Sequence, residues 1–584
     1  MLFYTDYDEG KDIMEALHID PAHPEWALLR CSYDDRHLAK SLTNRTWEPS
    51  RRCWRIPATA ESIAETMQLF PRCIVAADVR LAADLHSRSA AQVASVKSAP
   101  AEDVALPILA TPYAHQIAAY QLGCNADHVA LLMEQGTGKT LTAIAILGAR
   151  FLRGEVSRAL VVCPASVCAV WSEEFLKFAG YPVDARVLTG TSAKKAEQLD
   201  DWQPDPTQLQ VAVVNYESIW RIGEAVKTFD ADIVVCDESQ RIKTASSAQS
   251  KFMHRLAATT KHRMILTGTP VSNHPTDFFS QYKFLDPRIF GNSFTAFRSK
   301  YCNLGGFEGR EIVDYRDLDG LIRKAHSVAF RVTKADALDL PEQIDTVRYC
   351  ELPPASMKVY RQMRDEAVAE LDSGGVIAAP NVLTRLLRLQ QMTGGFIPAE
   401  DDEAATPLCD TKLRLLAETV DEALERLGGK VVIFARFKAE IKAIRLMLEM
   451  RELDFGMIWG ATPMGARGGI VEKFQTDPDC RVFIAQIQSA GLGITLTAAD
   501  TAVFYSLDFS FANYDQARAR LHRIGQQRMV NNIHLIARGT IDEAVLAVLK
   551  RKRNIADAVV DGGWRDLIDG RADVSVKEFA ARRT

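Results

Sequence analysis

Five consecutive residues, Gly136-Thr137-Gly138-Lys139-Thr140, have the types and order needed to hold a polyphosphate. Glycines let backbone N–H groups turn toward an anion. A helix N-terminus adds partial positive charge. Lys139 can reach the β- and γ-phosphates of a nucleotide, and Thr140 can ligate Mg2+. The full pattern opens with a glycine where this chain has Met133, so the loop is the shorter GxGKT type. The competing reading is a glycine turn that opens an ordinary helix. Downstream, Asp237-Glu238 follows the apolar run Ile233 to Cys236. One carboxylate there can hold Mg2+ through its water shell, and the next can orient and deprotonate an attacking water. Thr267-Gly268-Thr269-Pro270 follows another apolar run, Met264 to Leu266. Further on, Gly491-Leu492-Gly493 stands at the end of a strand-like run, followed by Gln516 to Gln526 with Arg520 and Arg523. Two arginines three apart fall on one helix face. Such guanidinium groups either reach a γ-phosphate from a separate domain or contact nucleic-acid phosphate.

These residues need strand ends to position them. Residues 105–275 alternate strand-like and helical stretches, with strands expected at 128–133, 158–163, 210–214, 232–236 and 264–267. Residues 408–545 repeat the alternation, with strands at 430–435, 456–459, 481–485, 502–505 and 532–536. Alternation of this kind implies parallel sheets covered by helices, with ligands at the carboxyl ends of the strands. Residues 276–407 are expected to be helical protrusions and a connection, and 546–584 a helical tail. Residues 87–104 are small, polar and aperiodic, the pattern of a linker. Before it, residues 1–86 form a first unit. Its segment from Arg30 to Arg55 interleaves Arg51, Arg52 and other cations with Tyr33, Trp47 and Trp54. Cations and flat rings suit a nucleic-acid contact. They equally suit a small α+β domain with tryptophans in its core and solvated arginines.

At 584 residues the chain is too long for one core, and about two to four domains are expected. The net charge of −5 does not advertise nucleic-acid binding, so any basic surface must be local. No apolar run approaches the length of a membrane span, and the N-terminus lacks the order of a signal peptide. Eleven scattered cysteines without a CxxC pair point to reduced thiols, with no disulfide frame or zinc site. The expectation is a cytoplasmic protein of bacterial or phage type.

Taken in order, the motifs resemble the superfamily-two helicases, and within them the Swi/Snf-type double-stranded DNA translocases. The residues that carry the resemblance begin with Gln116, Gly136 to Thr140, Val161 to Pro164 with Trp171, and Asn215-Tyr216-Glu217. They continue with Asp237 to Gln240, Arg241 to Lys243, Leu266 to Pro270 with Asn273, and Arg331 to Lys334. The second half adds Val432 to Phe434, Ser489 to Gly493 and Gln516 to Gln526, ending His522-Arg523-Ile524-Gly525-Gln526. The resemblance implies two RecA-like lobes, with ATP between them and DNA across their tops. It implies that Gln116 reads adenine and that Gly136, Thr137, Gly138, Lys139, Thr140, Gly491 and Gly493 contact the nucleotide. Thr140 and Asp237 would serve Mg2+, Glu238 would be the general base, and Arg520 and Arg523 the arginine fingers. Ser166, Asn215, Lys243, Arg436 and Ser489 would lie on the DNA side. Trp47 to Trp54 with Ile56-Pro57 resembles the HARP-type module of annealing helicases, which implies that Arg51, Arg52 and Trp54 contact double-stranded or branched DNA.

The chain departs from the family at two places. Asp-Glu-Ala-His becomes Asp237-Glu238-Ser239-Gln240, which keeps both carboxylates and removes a titratable group. Trp-Asn-Pro becomes Phe509-Ser510-Phe511, which affects a local turn and its DNA contact. Three rival functions share much of the pattern: a strand-separating DNA or RNA helicase, a non-catalytic DNA-binding scaffold, and the motor subunit of a defence complex. The intact Lys139, Asp237, Glu238 and Arg523 speak against the scaffold, and no nuclease constellation accompanies the motor.

Overall fold

The computed structural model describes residues 15–98, 104–271, 274–305, 311–372, 379–397, 405–487 and 494–561. The chain divides into two compact units. The first comprises Met1–Met133, Lys139–Val271 and Pro275–Arg331, and the second Glu134–Gly138, Ser272–His274 and Val332–Thr584.

The first unit opens with a five-stranded sheet of β1 (Ala16–Asp20), β2 (His23–Arg30), β3 (Thr46–Glu48), β4 (Cys53–Pro57) and β5 (Ile74–Val75), in the order β3-β4-β2-β1-β5. Alternate residues Leu17, Ala27, Leu29 and Ile56 turn to one face and form a core with Phe70 and Val79. The helix Ala60–Leu69 is started by Thr59, whose hydroxyl accepts from the Ser62 N–H. This is the α+β arrangement expected of the N-terminal residues. The domain rests on the rest of its unit through Asn44, which donates to the Arg288 carbonyl at 2.9 Å, and through Lys324 on Glu61 at 3.1 Å.

The expected linker is not one over most of its length. The helix Ala77–Ser98 runs through it. The segment is rich in alanine, the strongest helix former, and needs no apolar stripe to stay helical when it continues a packed helix.

The parallel sheet of the first unit contains β6 (His128–Met133), β7 (Arg158–Cys163), β8 (Val183–Val187), β9 (Leu209–Asn215), β10 (Ile233–Asp237) and β11 (His262–Leu266). A two-stranded ribbon follows, β12 (Cys302–Gly305) with β13 (Glu311–Tyr315), and then β14 (Ala329–Val332), which returns to the main sheet. The order is β14-β6-β11-β10-β7-β9-β8. Its central strands are almost wholly buried, as expected when helices cover both faces. Between β11 and β14 lie the helices Asp277–Leu285, Pro287–Phe290, Phe294–Tyr301 and Leu318–His326. A cluster of Phe279, Phe290, Phe297 and Tyr301 joins the first three, and the Tyr282 hydroxyl donates to the Ala325 carbonyl of the fourth at 2.7 Å.

The second unit carries β15 (Gln343–Cys350), a short pair β16 (Phe396–Ile397) and β17 (Thr406–Pro407), then β18 (Val431–Ala435), β19 (Phe455–Ile458), β20 (Val482–Gln486), β21 (Thr501–Phe504) and β22 (Val530–Ala537). Six of these form a second parallel sheet, β15-β22-β21-β18-β20-β19. The α/β class with two parallel-sheet lobes therefore stands. Two edge strands, β14 and β15, come from the block expected to be helical. Both are only partly buried, so neither shows the continuous apolar run that marked the central strands.

Candidate nucleotide site and its coupling residues

The first sheet explains why distant residues meet. Register places Asp237 beside Leu266, and Leu266 beside Leu131. The strands leading to the glycine loop, to Asp237-Glu238 and to Thr267-Pro270 thus end side by side, at the carboxyl edge where ligands bind. Gly136 and Gly138 take φ of +84° and +88°, a conformation strained for any residue with a side chain. The helix Lys139–Leu152 begins directly afterwards. The Lys139 ammonium donates to the Met133 carbonyl at 3.0 Å. Thr140 stands in the first turn of that helix, half-buried. Thr137 is buried and its hydroxyl donates to the Glu134 carbonyl at 2.7 Å.

Asp237 ends β10 with every oxygen engaged. The Trp171 indole Nε1 donates to Oδ2 at 2.9 Å, the Glu238 N–H donates to Oδ1 at 2.9 Å, and the Tyr216 hydroxyl donates to the main-chain carbonyl at 2.8 Å. Burial pushes this carboxyl up, the neighbouring Glu238 adds to it, and the Trp171 bond and Lys139 charge oppose it, leaving it at about 6. A buried anion so placed would be relieved by a dication. Because both oxygens already accept hydrogen bonds, Asp237 suits contact through a metal's water shell.

Glu238 adopts φ +50°, ψ +54°, the left-handed region, and starts the 3-10 turn Ser239–Ile242. Gln240 occupies the place where the resembled family has histidine. Its Nε2 donates to Glu238 Oε2 at 2.7 Å, and its Oε1 accepts from the Thr267 hydroxyl at 2.8 Å. Thr267 Oγ1 in turn accepts from the Thr269 N–H at 3.0 Å. A neutral carboxamide therefore links the carboxylate to the Thr267–Pro270 turn.

Gln116 is buried, and its side-chain oxygen accepts from the Tyr113 N–H at 2.9 Å, which fixes the carboxamide at a helix start. Several residues expected on the DNA side are tied internally. Asn215 accepts from Lys195 at 2.7 Å and donates to Glu217 at 2.8 Å. Lys243 lies 3.6 Å from Asp277. Arg436 donates to Gln390 at 2.8 Å and sits 3.6 Å from Asp508. Ser166 is half-buried in the turn Ala165–Val167.

In the N-terminal domain, Arg51 and Arg55 both grip the fully buried Asp20, at 2.7 and 2.8 Å. Burial alone would raise that carboxyl, but the two guanidinium groups hold it below its ordinary value. Arg51 is thus a structural partner as much as a surface cation. Arg52 takes φ +47° in the turn between β3 and β4. Trp54 is half-buried and pairs across the strands with Trp47, ring centroids 5.0 Å apart. Trp47 remains 45% exposed and Tyr33 70% exposed, with the Arg36 guanidinium 3.8 Å from the Tyr33 ring centre.

In the second unit the helix Phe511–Arg518 ends before Arg520, so Arg520 and Arg523 do not share a helix face. The chain turns away there because Gln526 Nε2 binds the carbonyls of Leu521 and Ala499, with Gly525 at φ +97°. The arginine that closes the helix, Arg518, is buried against Asp345 at 3.0 Å. Ser489, Gly491, Gly493 and Asn273 lie outside the described residues. Among the described residues no cluster of three or more His, Cys, Asp or Glu side chains could hold a metal alone, and no helix is long and apolar enough to cross a membrane.

Residues 113–394 match the SNF2-related domain, and residues 411–525 match the helicase conserved C-terminal domain. A Caenorhabditis elegans protein described as a SWI/SNF-related matrix-associated actin-dependent regulator of chromatin subfamily A-like protein 1 homolog is 28% identical over 533 residues, 89% of this chain and 72% of its own length. The Mus musculus DNA annealing helicase and endonuclease ZRANB3 is 28% identical over 74% of this chain. This chain spans 39% of that relative's length. The Sulfolobus solfataricus SWI2/SNF2 ATPase core in complex with dsDNA is 27% identical over 78% of this chain and 94% of its own, with a TM-score of 0.38. Two parallel-sheet units, matched in tandem by the SNF2-related and helicase C-terminal domains, make this chain a member of the SNF2 group of helicase-like ATPase motors.

Proposed function

We propose that this motor is a DNA-dependent ATPase that moves along double-stranded or forked DNA and rewinds or remodels it. The observation that carries this reading is the Glu238–Gln240–Thr267 chain of hydrogen bonds beside Asp237 and Lys139. It links a hydrolytic carboxylate pair to a turn able to report movement. Lys139 binds the β- and γ-phosphates, Gln116 the base, and Thr140 and Asp237 hold Mg2+, which when bound supplies charge neutralisation at the phosphates. Glu238 orients the attacking water and accepts its proton. Arg520 and Arg523 stabilise the charge that develops on the γ-phosphate. Gly491 and Gly493 complete the nucleotide contacts. Ser166, Asn215, Lys243, Arg436 and Ser489 remain the candidates for the DNA path.

The names of the nematode and mouse relatives, one a chromatin regulator and one a DNA annealing helicase, support DNA as the track. Phosphate contacts should outnumber base contacts, giving low sequence preference and strong salt dependence. The N-terminal domain grips branched DNA, a role supported by the exposed Tyr33 and Trp47 rings with Arg36 at hand. A part in DNA repair follows from that grip. Eleven free cysteines support a reducing compartment such as the cytoplasm.

The test compares ATP turnover with duplex, single-stranded, forked and RNA substrates side by side. Duplex and forks should stimulate most. Stimulation by single strands or RNA alone would replace this reading with a strand-separating helicase.

A further inference from the structure

The helix Asp277–Leu285 is wholly internal over most of its length and carries a carboxamide that no motif assigns. Gln281 is completely buried. Its Oε1 accepts from the Ser239 hydroxyl at 2.7 Å, and its Nε2 donates to the Pro270 carbonyl at 2.7 Å and to the Asp277 carbonyl at 2.9 Å. Both N–H donors of the carboxamide and one acceptor site of its oxygen are thereby engaged. The same helix holds the acid loop at two further points, through the Ser280 hydroxyl on the Ile242 carbonyl and through Asp277 near Lys243. Gln281 differs from those contacts because it also touches the turn at Pro270.

Glu238 explains why such a hold matters. Its left-handed backbone is costly for a residue with a side chain and persists only where neighbours enforce it. Ser239 is the next residue, and its buried hydroxyl is anchored by Gln281. We infer that Gln281 is a positioning residue for hydrolysis: one rigid carboxamide joins Ser239 to Pro270 and so sets the strained backbone of Glu238 against the turn Thr267–Pro270. Movement of that turn is then transmitted to the base along two parallel carboxamides, Gln240 through the side chain and Gln281 through the backbone. The inference rests on Glu238 being the general base.

The test uses the full chain with saturating duplex. In Gln281→Glu a carboxylate faces two carbonyls, and its donor returns only on protonation. At pH 8, kcat should fall about tenfold to hundredfold, the range expected for a mispaired buried polar group, with the KM for ATP nearly unchanged. Lowering the pH toward 6 should restore part of the rate relative to the unsubstituted protein. A kcat equal to that of the unsubstituted protein, or a parallel loss of kcat, ATP affinity and thermal stability at every pH, would overturn the inference. Should Gln281→Glu fail to fold, Ser239→Ala removes the other end of the bond and should lower kcat with KM unchanged; an unchanged kcat overturns the proposal equally. Glu238→Gln measured in parallel separates the two claims, since normal hydrolysis by that variant would remove the base assignment itself.

Discussion

The Trp171 indole and the Asp237 carboxylate are joined by a 2.9 Å hydrogen bond from Nε1 to Oδ2, with the indole fully buried. This donor is among the groups that hold Asp237 down against burial. Trp171→Phe keeps most of the ring and removes the donor, so the carboxyl should rise above about 6. The ionised form is the one that serves a cation, so the acid limb of the ATPase pH–rate profile should move upward, by up to about one pH unit. A limb that stays in place would show that another group sets it.

Lys139→Ala should abolish ATP turnover, because no other side chain in the loop can carry positive charge to the terminal phosphates. Turnover at the normal rate would remove the nucleotide assignment and the reading built on it.

Gln240 permits a graded experiment. Gln240→Leu leaves the buried Thr267 hydroxyl and Glu238 without their shared partner. Turnover should drop about tenfold or more while nucleotide affinity holds. Gln240→His should preserve a donor to Glu238 but introduce a new ionisation between pH 5.5 and 7.5, about the range where imidazole titrates. A steady-state pH profile of the two variants distinguishes a positional role from a purely packing one.

Arg523 and Arg518 should separate cleanly. Arg523→Ala is expected to keep ATP binding and lower turnover roughly thousandfold, as for an arginine finger. Equal loss of affinity and turnover would instead mark a binding residue. Arg518→Ala should act through stability, since it strips Asp345 of a buried partner at 3.0 Å. Thermal denaturation and ATP titration on both variants decide the matter.

Glu440 supplies a pH-dependent stability. Burial raises its carboxyl to about 7, while the Ser506 hydroxyl, Lys412 and the N–H groups of Phe437 and Arg436 oppose the shift. The folded chain holds this proton more tightly than the unfolded chain does. Its stabilising contribution is therefore complete below about 4.5 and lost as pH rises through about 7. Glu440→Gln is neutral at every pH and should raise the melting temperature at pH 8, with the gain shrinking toward pH 5. A gain that does not change with pH would assign the effect to packing.

The sequence by itself determined the α/β class, the central strands and the order of the motifs. Those features are written locally: a buried parallel strand is a continuous apolar run, and a phosphate loop is a run of glycines before a helix. Tertiary structure decided what lies beyond local pattern. The strands β14 and β15 are partly exposed edges, so the neighbouring strand defines them more than their own residues do. The helix Ala77–Ser98 continues through alanines that looked like a linker, because the preceding turns are packed. Arg520 and Arg523 leave the helix because Gln526 captures carbonyls several residues back, a contact that spacing does not reveal. Arg51, Asn215 and Arg436 looked like surface cations and polar groups for DNA, and each has internal partners. Gln240 stands out in sequence only as a departure from the family's histidine, and Gln281 belongs to no motif. Only folding brings their carboxamides between the acid loop and the Thr267–Pro270 turn, since β10 and β11 must first lie side by side.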